Sequence, residues 1–142
     1  MGAELRRTLD RLTGFGKRRL LSAAAHKFRD ITLSNFGMFG KDRPTPWDAL
    51  SKRYARRVGR SYATMELTGE LKRSITVRAD NSEYAEVFTD DVPYAAAHQF
   101  GKHPQPLRPY FPVTEAEKLT PYAENEIKRA IEAELLQMGL GR

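Results

Sequence analysis

The chain has 142 residues, which fits one domain and leaves little room for two, and 40% hydrophobic residues supply a core without disulfides or a structural metal. With no cysteine at all, disulfides, thiolate zinc sites and cysteine nucleophiles are excluded, and the longest apolar runs, Ala23 to Ala25 and Tyr94 to Ala97, are far too short to span a bilayer. The net charge of +6 is split: residues 1–78 carry +11 and residues 79–142 carry −5. Such a split suits a polyanionic partner for the first half. It equally suits head-to-tail pairing of copies, the positive patch of one against the negative patch of the next.

In chain order, residues 3–12 predict a short helix that Gly14 and Gly16 interrupt, with residues 1–16 loosely attached to the rest. From Lys17 a longer helix runs to about Asn35, because Leu20, Ala24, Phe28 and Ile31 recur on one helical face. Gly37 and Gly40 end it, and the Pro44 and Pro46 segment is a loop. Trp47 to about Val58 predicts another helix, closed by Gly59.

The middle of the chain reads as sheet. Ile75, Val77 and Ala79 alternate with Ser74, Thr76 and Arg78, the period of a half-buried strand. Asp80-Asn81-Ser82 supplies a turn, and residues 83–89 alternate again through Ala85 and Val87, which predicts a β-hairpin. Asp90-Asp91-Val92-Pro93 breaks the pattern before a short apolar segment, Tyr94 to Phe100. Residues 102–112 hold four prolines and predict an extended arm, with room for a short edge strand at 110–113.

The C-terminal helix has two start signals, a capping box of Thr114 with Glu117 and the pair Thr120-Pro121. Its buried face is Leu119, Ala123, Ile127, Ala130, Ile131 and Leu135, and Gly139 is the expected cap. The fold class is α+β: N-terminal helices, a small antiparallel sheet built on the hairpin, and a C-terminal helix packed on the sheet, in a single domain over 1–142.

Chemistry is sparse. His26 reads as surface; His98 and His103 are five apart across Gly101, which is not a helical ligand spacing, and Asp90 with Asp91 reads as a charged turn. No phosphate-binding glycine loop, nucleophile elbow or HExxH sequence occurs. The expectation is no enzyme, no metal and no cofactor. The best nucleic-acid signal is the segment 52–62, where Lys52, Arg53, Arg56, Arg57 and Arg60 cluster on one side of a helix and Tyr54 and Tyr62 are free to stack. No recognised nucleic-acid motif surrounds them, so DNA contact is expected to be weak or transient.

Four fragments occur in succession: Trp47-Asp48-Ala49-Leu50-Ser51; Leu67-Thr68-Gly69-Glu70-Leu71-Lys72-Arg73-Ser74-Ile75; Tyr94-Ala95-Ala96-Ala97-His98-Gln99-Phe100-Gly101; and Leu107-Arg108-Pro109-Tyr110-Phe111. Their order resembles the phage virion morphogenesis proteins, also called tail-completion or tail S-like proteins, of contractile-tailed phages. The resemblance runs from about residue 17 to the C-terminus. Tyr110 stands where that family usually has Phe, and the gap between Gly101 and Arg108-Pro109 is short.

The motif residues also have physical readings. Thr68 caps a short helix, Gly69 avoids a clash at the cap, Leu71 packs inward, and Ser74 leads into the hairpin. Tyr94, His98 and Phe100 are expected to pack one face against the sheet. His98 and Gln99 are expected to bond the backbone of the proline-rich arm. Arg108, Pro109, Tyr110 and Phe111 are expected to form a contact with a neighbouring subunit, Arg108 as a bidentate cation and the aromatics as anchors.

The resemblance implies a structural virion protein that completes or terminates the tail at the head–tail interface, or forms the neck. It would be made in the host cytoplasm and placed in the virion. Implied partners are other copies in a ring, six by the symmetry of the tail, together with tail tube and neck or connector proteins, and no membrane. A DNA-binding protein using the 52–60 cluster, or an assembly factor that leaves the finished particle, are the alternatives.

Overall fold

Helix α2 (Gly14–Gly37) is the spine of the computed structural model, which describes residues 3–37, 51–59, 69–100, 109–114 and 116–140. At 1.5 Å per residue it is about 36 Å long. Its buried residues, Leu20, Ala25, Ile31, Thr32, Asn35 and Phe36, form the inward stripe. Before it lies α1 (Ala3–Arg11). The break falls at Leu12-Thr13 and not at the glycines, which corrects the sequence expectation. Thr13 starts the new helix: its carbonyl accepts from Lys17 N at 3.0 Å and its Oγ1 from Gly16 N at 3.3 Å. Gly16 is spent on close packing, since a Cβ there would meet Leu12 Cδ2 and Met138 Cε, both at 3.1 Å.

Three short helices and a hairpin follow: α3 (Lys52–Val58), α4 (Glu70–Ser74), β1 (Ile75–Arg78), β2 (Glu86–Thr89) and α5 (Ala95–Phe100). The strands are antiparallel, with Ile75 opposite Thr89 and Arg78 opposite Glu86. Asp90 N donates to Ser74 O at 3.1 Å, carrying the pairing one step beyond the strands. The second strand starts at Glu86, three residues later than the alternation predicts. Asn81 Oδ1 accepts from Glu83 N and Tyr84 N at 2.8 and 3.0 Å, and this side-chain turn holds both residues out of the ladder. Tyr94 to Phe100, unassigned by periodicity, contains the helix α5.

The C-terminal helix α6 (Pro121–Gln137) starts at the second of its two signals. Thr120 Oγ1 accepts from Ala123 N at 3.3 Å and Pro121 occupies the first turn. The capping box at Thr114 and Glu117 starts no helix. Val113 bridges Leu119 in antiparallel fashion, Thr114 N donates to Lys118 O at 2.7 Å, and Glu117 sits at φ 58°, so the chain there is a closed loop. That bridge is also all that forms of the expected edge strand at 110–113 among the described residues. At the far end Gly139, φ 74°, donates to Leu136 O while Leu140 N reaches back to Leu135 O, a Schellman cap.

Helix α6 runs antiparallel to α2, because Gly16 faces Met138 while Arg19 Nε donates to Glu134 Oε1 at 2.7 Å. Ala123 and Leu135 are its fully buried contacts, and α2 in turn lies on the hairpin. At the root of the hairpin the core gathers Phe36, Leu71, Ile75, Val92, Ala95 and Tyr110, with Leu33, Tyr54, Ala55, Val87 and Phe111 packed around them. Each fully buried Phe or Leu there contributes about 2 kcal/mol by leaving water.

Candidate functional site

Two features stand out on this frame, a docked arm and a cationic helix. The arm end, residues 109–114, crosses the C-terminal half of α2. Gln99, 6% exposed on α5, accepts from both Tyr110 N (3.0 Å) and Phe111 N (2.9 Å) through one Oε1. From the other side Asn35 Nδ2 donates to Tyr110 O at 2.8 Å. Tyr110 and Phe111 lie outside any helix or strand pairing, and these two amides bond their backbone instead.

The ring of Tyr110 lies 6.2 Å from Phe36 and 4.6 Å from Phe111, and Phe111 lies 5.6 Å from Phe28, centroid to centroid. The Tyr110 hydroxyl donates to Ala95 O at 3.3 Å. Burial raises the Tyr110 pKa above its usual 10.0, and a hydrogen bond with the Thr89 side chain offsets part of that rise.

This geometry sorts the motif residues. Gln99 bonds the arm as its position predicts. Leu71 is buried, and the N-cap of α4 is Gly69 and not Thr68 as expected: Gly69 adopts φ 69° with no side-chain cap bond, and a Cβ there would stand 2.5 Å from Arg73 Nη1. Ser74 closes α4, its Oγ donating to Leu71 O at 2.7 Å. Tyr94 and Phe100 do not pack on the sheet: Phe100 is 73% exposed, and the exposed Tyr94 sends its hydroxyl to Glu70 Oε2 at 2.9 Å. Phe100 ends a helix of six residues and Tyr94 lies in the turn before it, so the two do not share the one inward face that a strand would have given them.

Tyr110 is likewise corrected as a subunit contact, being 2% exposed and part of the core of its own chain. Pro109 and Phe111 are half-buried beside it. Trp47, Leu67, Thr68, Gly101, Arg108 and Arg60 lie outside the described residues, as does the side chain of His98.

The cationic helix is α3. Ser51 caps it, its Oγ accepting from Tyr54 N at 3.3 Å, and Gly59 closes it at φ 74° with its N–H on Ala55 O. Tyr54 and Ala55 turn toward the core, while Lys52, Arg53, Arg56 and Arg57 are exposed. The Arg57 guanidinium lies 4.8 Å over the Tyr54 ring.

A cavity of about 360 Å³ lies at the opposite end of α2, lined among others by Phe15, Arg18, His26, Ala79 and Glu134. His26 there is bonded within its own helix, Nδ1 to Ser22 O at 2.8 Å. Among the described residues no three of His, Asp or Glu gather as metal ligands, and no helix is long and apolar enough to cross a membrane.

Sequence reasoning missed Asn35, Thr32 and Arg29. Arg29 Nε donates to Ile75 O at 3.0 Å, tying α2 to the hairpin. Thr32 Oγ1 turns back to Phe28 O at 2.8 Å. The available signal was two polar residues inside the apolar stripe of a helix, at 32 and 35.

The phage virion morphogenesis family model matches residues 2–135, nearly the whole chain. The chain belongs to that family. It is therefore a phage virion assembly protein, and the motif fragments at Leu71, Gln99 and Tyr110 meet in its core. No curated protein and no solved structure matches it.

Proposed function

We propose that this phage virion morphogenesis protein is a structural, non-catalytic component of the head–tail interface that completes or terminates the tail so that the tail joins the head. The observation that carries this reading is the family match over residues 2–135. A ring of copies, six where a six-fold tail ends, is part of the proposal, with tail tube and neck proteins on its two faces. A cyclic ring needs two different patches on each subunit. The +11 and −5 halves supply opposite charge, and exposed Phe15, Tyr84, Phe100 and Leu136 supply apolar contacts.

A phage deleted for this protein should accumulate full heads and separate tails, and complementation should restore joined particles. Density for the subunit at the tail's head-proximal end in micrographs of virions is the expected location; density elsewhere, or its absence from virions, would overturn the reading. Light scattering should show assembly that weakens with salt, since surface charge is screened beyond about 8 Å at physiological ionic strength. Arg108→Ala should leave a folded chain that fails to join heads to tails.

A further inference from the structure

We infer that the outward face of α3 is a contact for the phosphate backbone of duplex DNA. At 100° per residue, Lys52, Arg56, Arg53 and Arg57 fall in that angular order within about 140° of the helix circumference. Tyr54 and Ala55 fall opposite them and pack toward the core. The helix therefore sits fixed by its apolar side with four cations outward, over about 8 Å of axis. No acidic residue lies within 51–59, and none of Lys52, Arg53 and Arg56 has an ion-pair partner among the described residues. Arg57 is held by stacking on Tyr54, which limits its rotamers and leaves its charge unneutralised.

The same face is poorly suited to a protein. Interfaces between proteins do use arginine, but around a centre of buried apolar or aromatic anchors where lysine and the acids are depleted. None of the described exposed side chains of 51–59 is apolar, and the large exposed apolar residues among the described ones all lie on other elements. A phosphate backbone needs no such anchor. Duplex DNA presents one charge per about 1.7 Å of axis, and releasing its condensed counterions supplies the affinity. Contacts of this kind position the duplex and read no sequence. This inference does not rest on the head–tail reading, because the DNA titration and the particle phenotype can fail separately.

The test is fluorescence anisotropy of the full chain with a short labelled duplex of mixed sequence, titrated across salt. Four contacts predict an affinity that falls about 100-fold between about 50 and about 200 mM salt. Arg53→Ala with Arg56→Ala and Arg57→Ala should reduce the log–log salt slope by about one per arginine. The corresponding triple Lys variant should keep the slope, since lysine serves phosphate as a point charge. Circular dichroism of each variant checks that the fold is retained. No binding by the wild type at about 50 mM salt, or an alanine variant with an unchanged slope, would overturn the inference. So would an alanine variant that binds DNA normally but no longer self-assembles, which would assign the face to an acidic neighbouring subunit.

Discussion

At the docked arm the polar groups of Asn35, Gln99 and Tyr110 are buried and bonded to backbone, whereas α3 carries Lys52, Arg53, Arg56 and Arg57 outward into solvent. Both regions border the same core, one through Tyr110 and the other through Tyr54 and Ala55. The difference separates two uses of polar chemistry. Inward, each amide replaces water for a backbone group that would otherwise be stranded, so its loss costs the desolvation of that group. Outward, the cations remain hydrated and add little to folding, so they are free to meet a partner. Substitutions in the arm should therefore act on stability, and substitutions on α3 on binding.

The largest effect is expected at the arm's anchor. Tyr110→Ala removes a ring packed on Phe36 and Phe111 and should cost about 3–5 kcal/mol, close to the whole stability of a small domain. Urea titration of the purified variant would show it. A loss below about 1 kcal/mol would mean that the arm end is not core, and would break the comparison.

Gln99→Leu keeps volume but strands the N–H groups of Tyr110 and Phe111. One to three kcal/mol for each unsatisfied donor predicts a total of about 2–6 kcal/mol. Gln99→Glu, which keeps the accepting oxygen, should recover part of the backbone bonding at near-neutral pH. If Leu is tolerated as well as Glu, the amide is not what holds the arm.

Much of this arrangement was legible in the sequence, and the failures have physical causes. The hairpin was readable because Ile75 and Val77 alternate with polar neighbours before the turn residues Asp80-Asn81-Ser82, and Gln99 because an amide beside a proline-rich arm has backbone to satisfy. The helix start at residue 120 was one of two options, since Thr114 and Glu117 carry the same local signal. What decides between them is the Val113–Leu119 bridge, a tertiary contact that no capping rule contains. Phe100 looked like core by its type, and only the short helix α5 turns it to solvent. Tyr110 was read as an interface anchor because an aromatic on an arm fits either role until the arm's path is known. The four cations of α3 were placed by spacing alone, because a helical stripe of like charge has few other solutions.

A smaller effect sharpens the arm's side of the comparison by pH. The folded chain holds the Tyr110 proton above pH 10, where an unfolded tyrosine loses it. The native state then binds more protons than the unfolded state, so this contribution is fully present below about pH 10 and is lost as pH rises through the folded pKa. Tyr110→Phe should remove that part of the alkaline decline. It should also cost about 1 kcal/mol near neutrality through the lost bond to Ala95 O. Identical alkaline melting curves for the two proteins would show that the Tyr110 hydroxyl is solvated.

The smallest stability effect is expected on α3, where opposing contributions nearly cancel. Replacing Arg53, Arg56 and Arg57 by Ala removes the like-charged neighbours 52/56, 53/56 and 53/57. Each is destabilising by about 0.2–0.5 kcal/mol on an exposed helix. Alanine also has slightly the better helix propensity. Against these gains stands the Arg57–Tyr54 stacking, about 0.5–1 kcal/mol at an exposed site. The sum lies near zero, so the variant should melt within about 2–4 °C of the wild type, or slightly above it. A destabilisation of more than about 2 kcal/mol could not come from charges that face solvent. It would mean that these side chains are bonded in the fold, and the two regions would then differ in degree and not in kind.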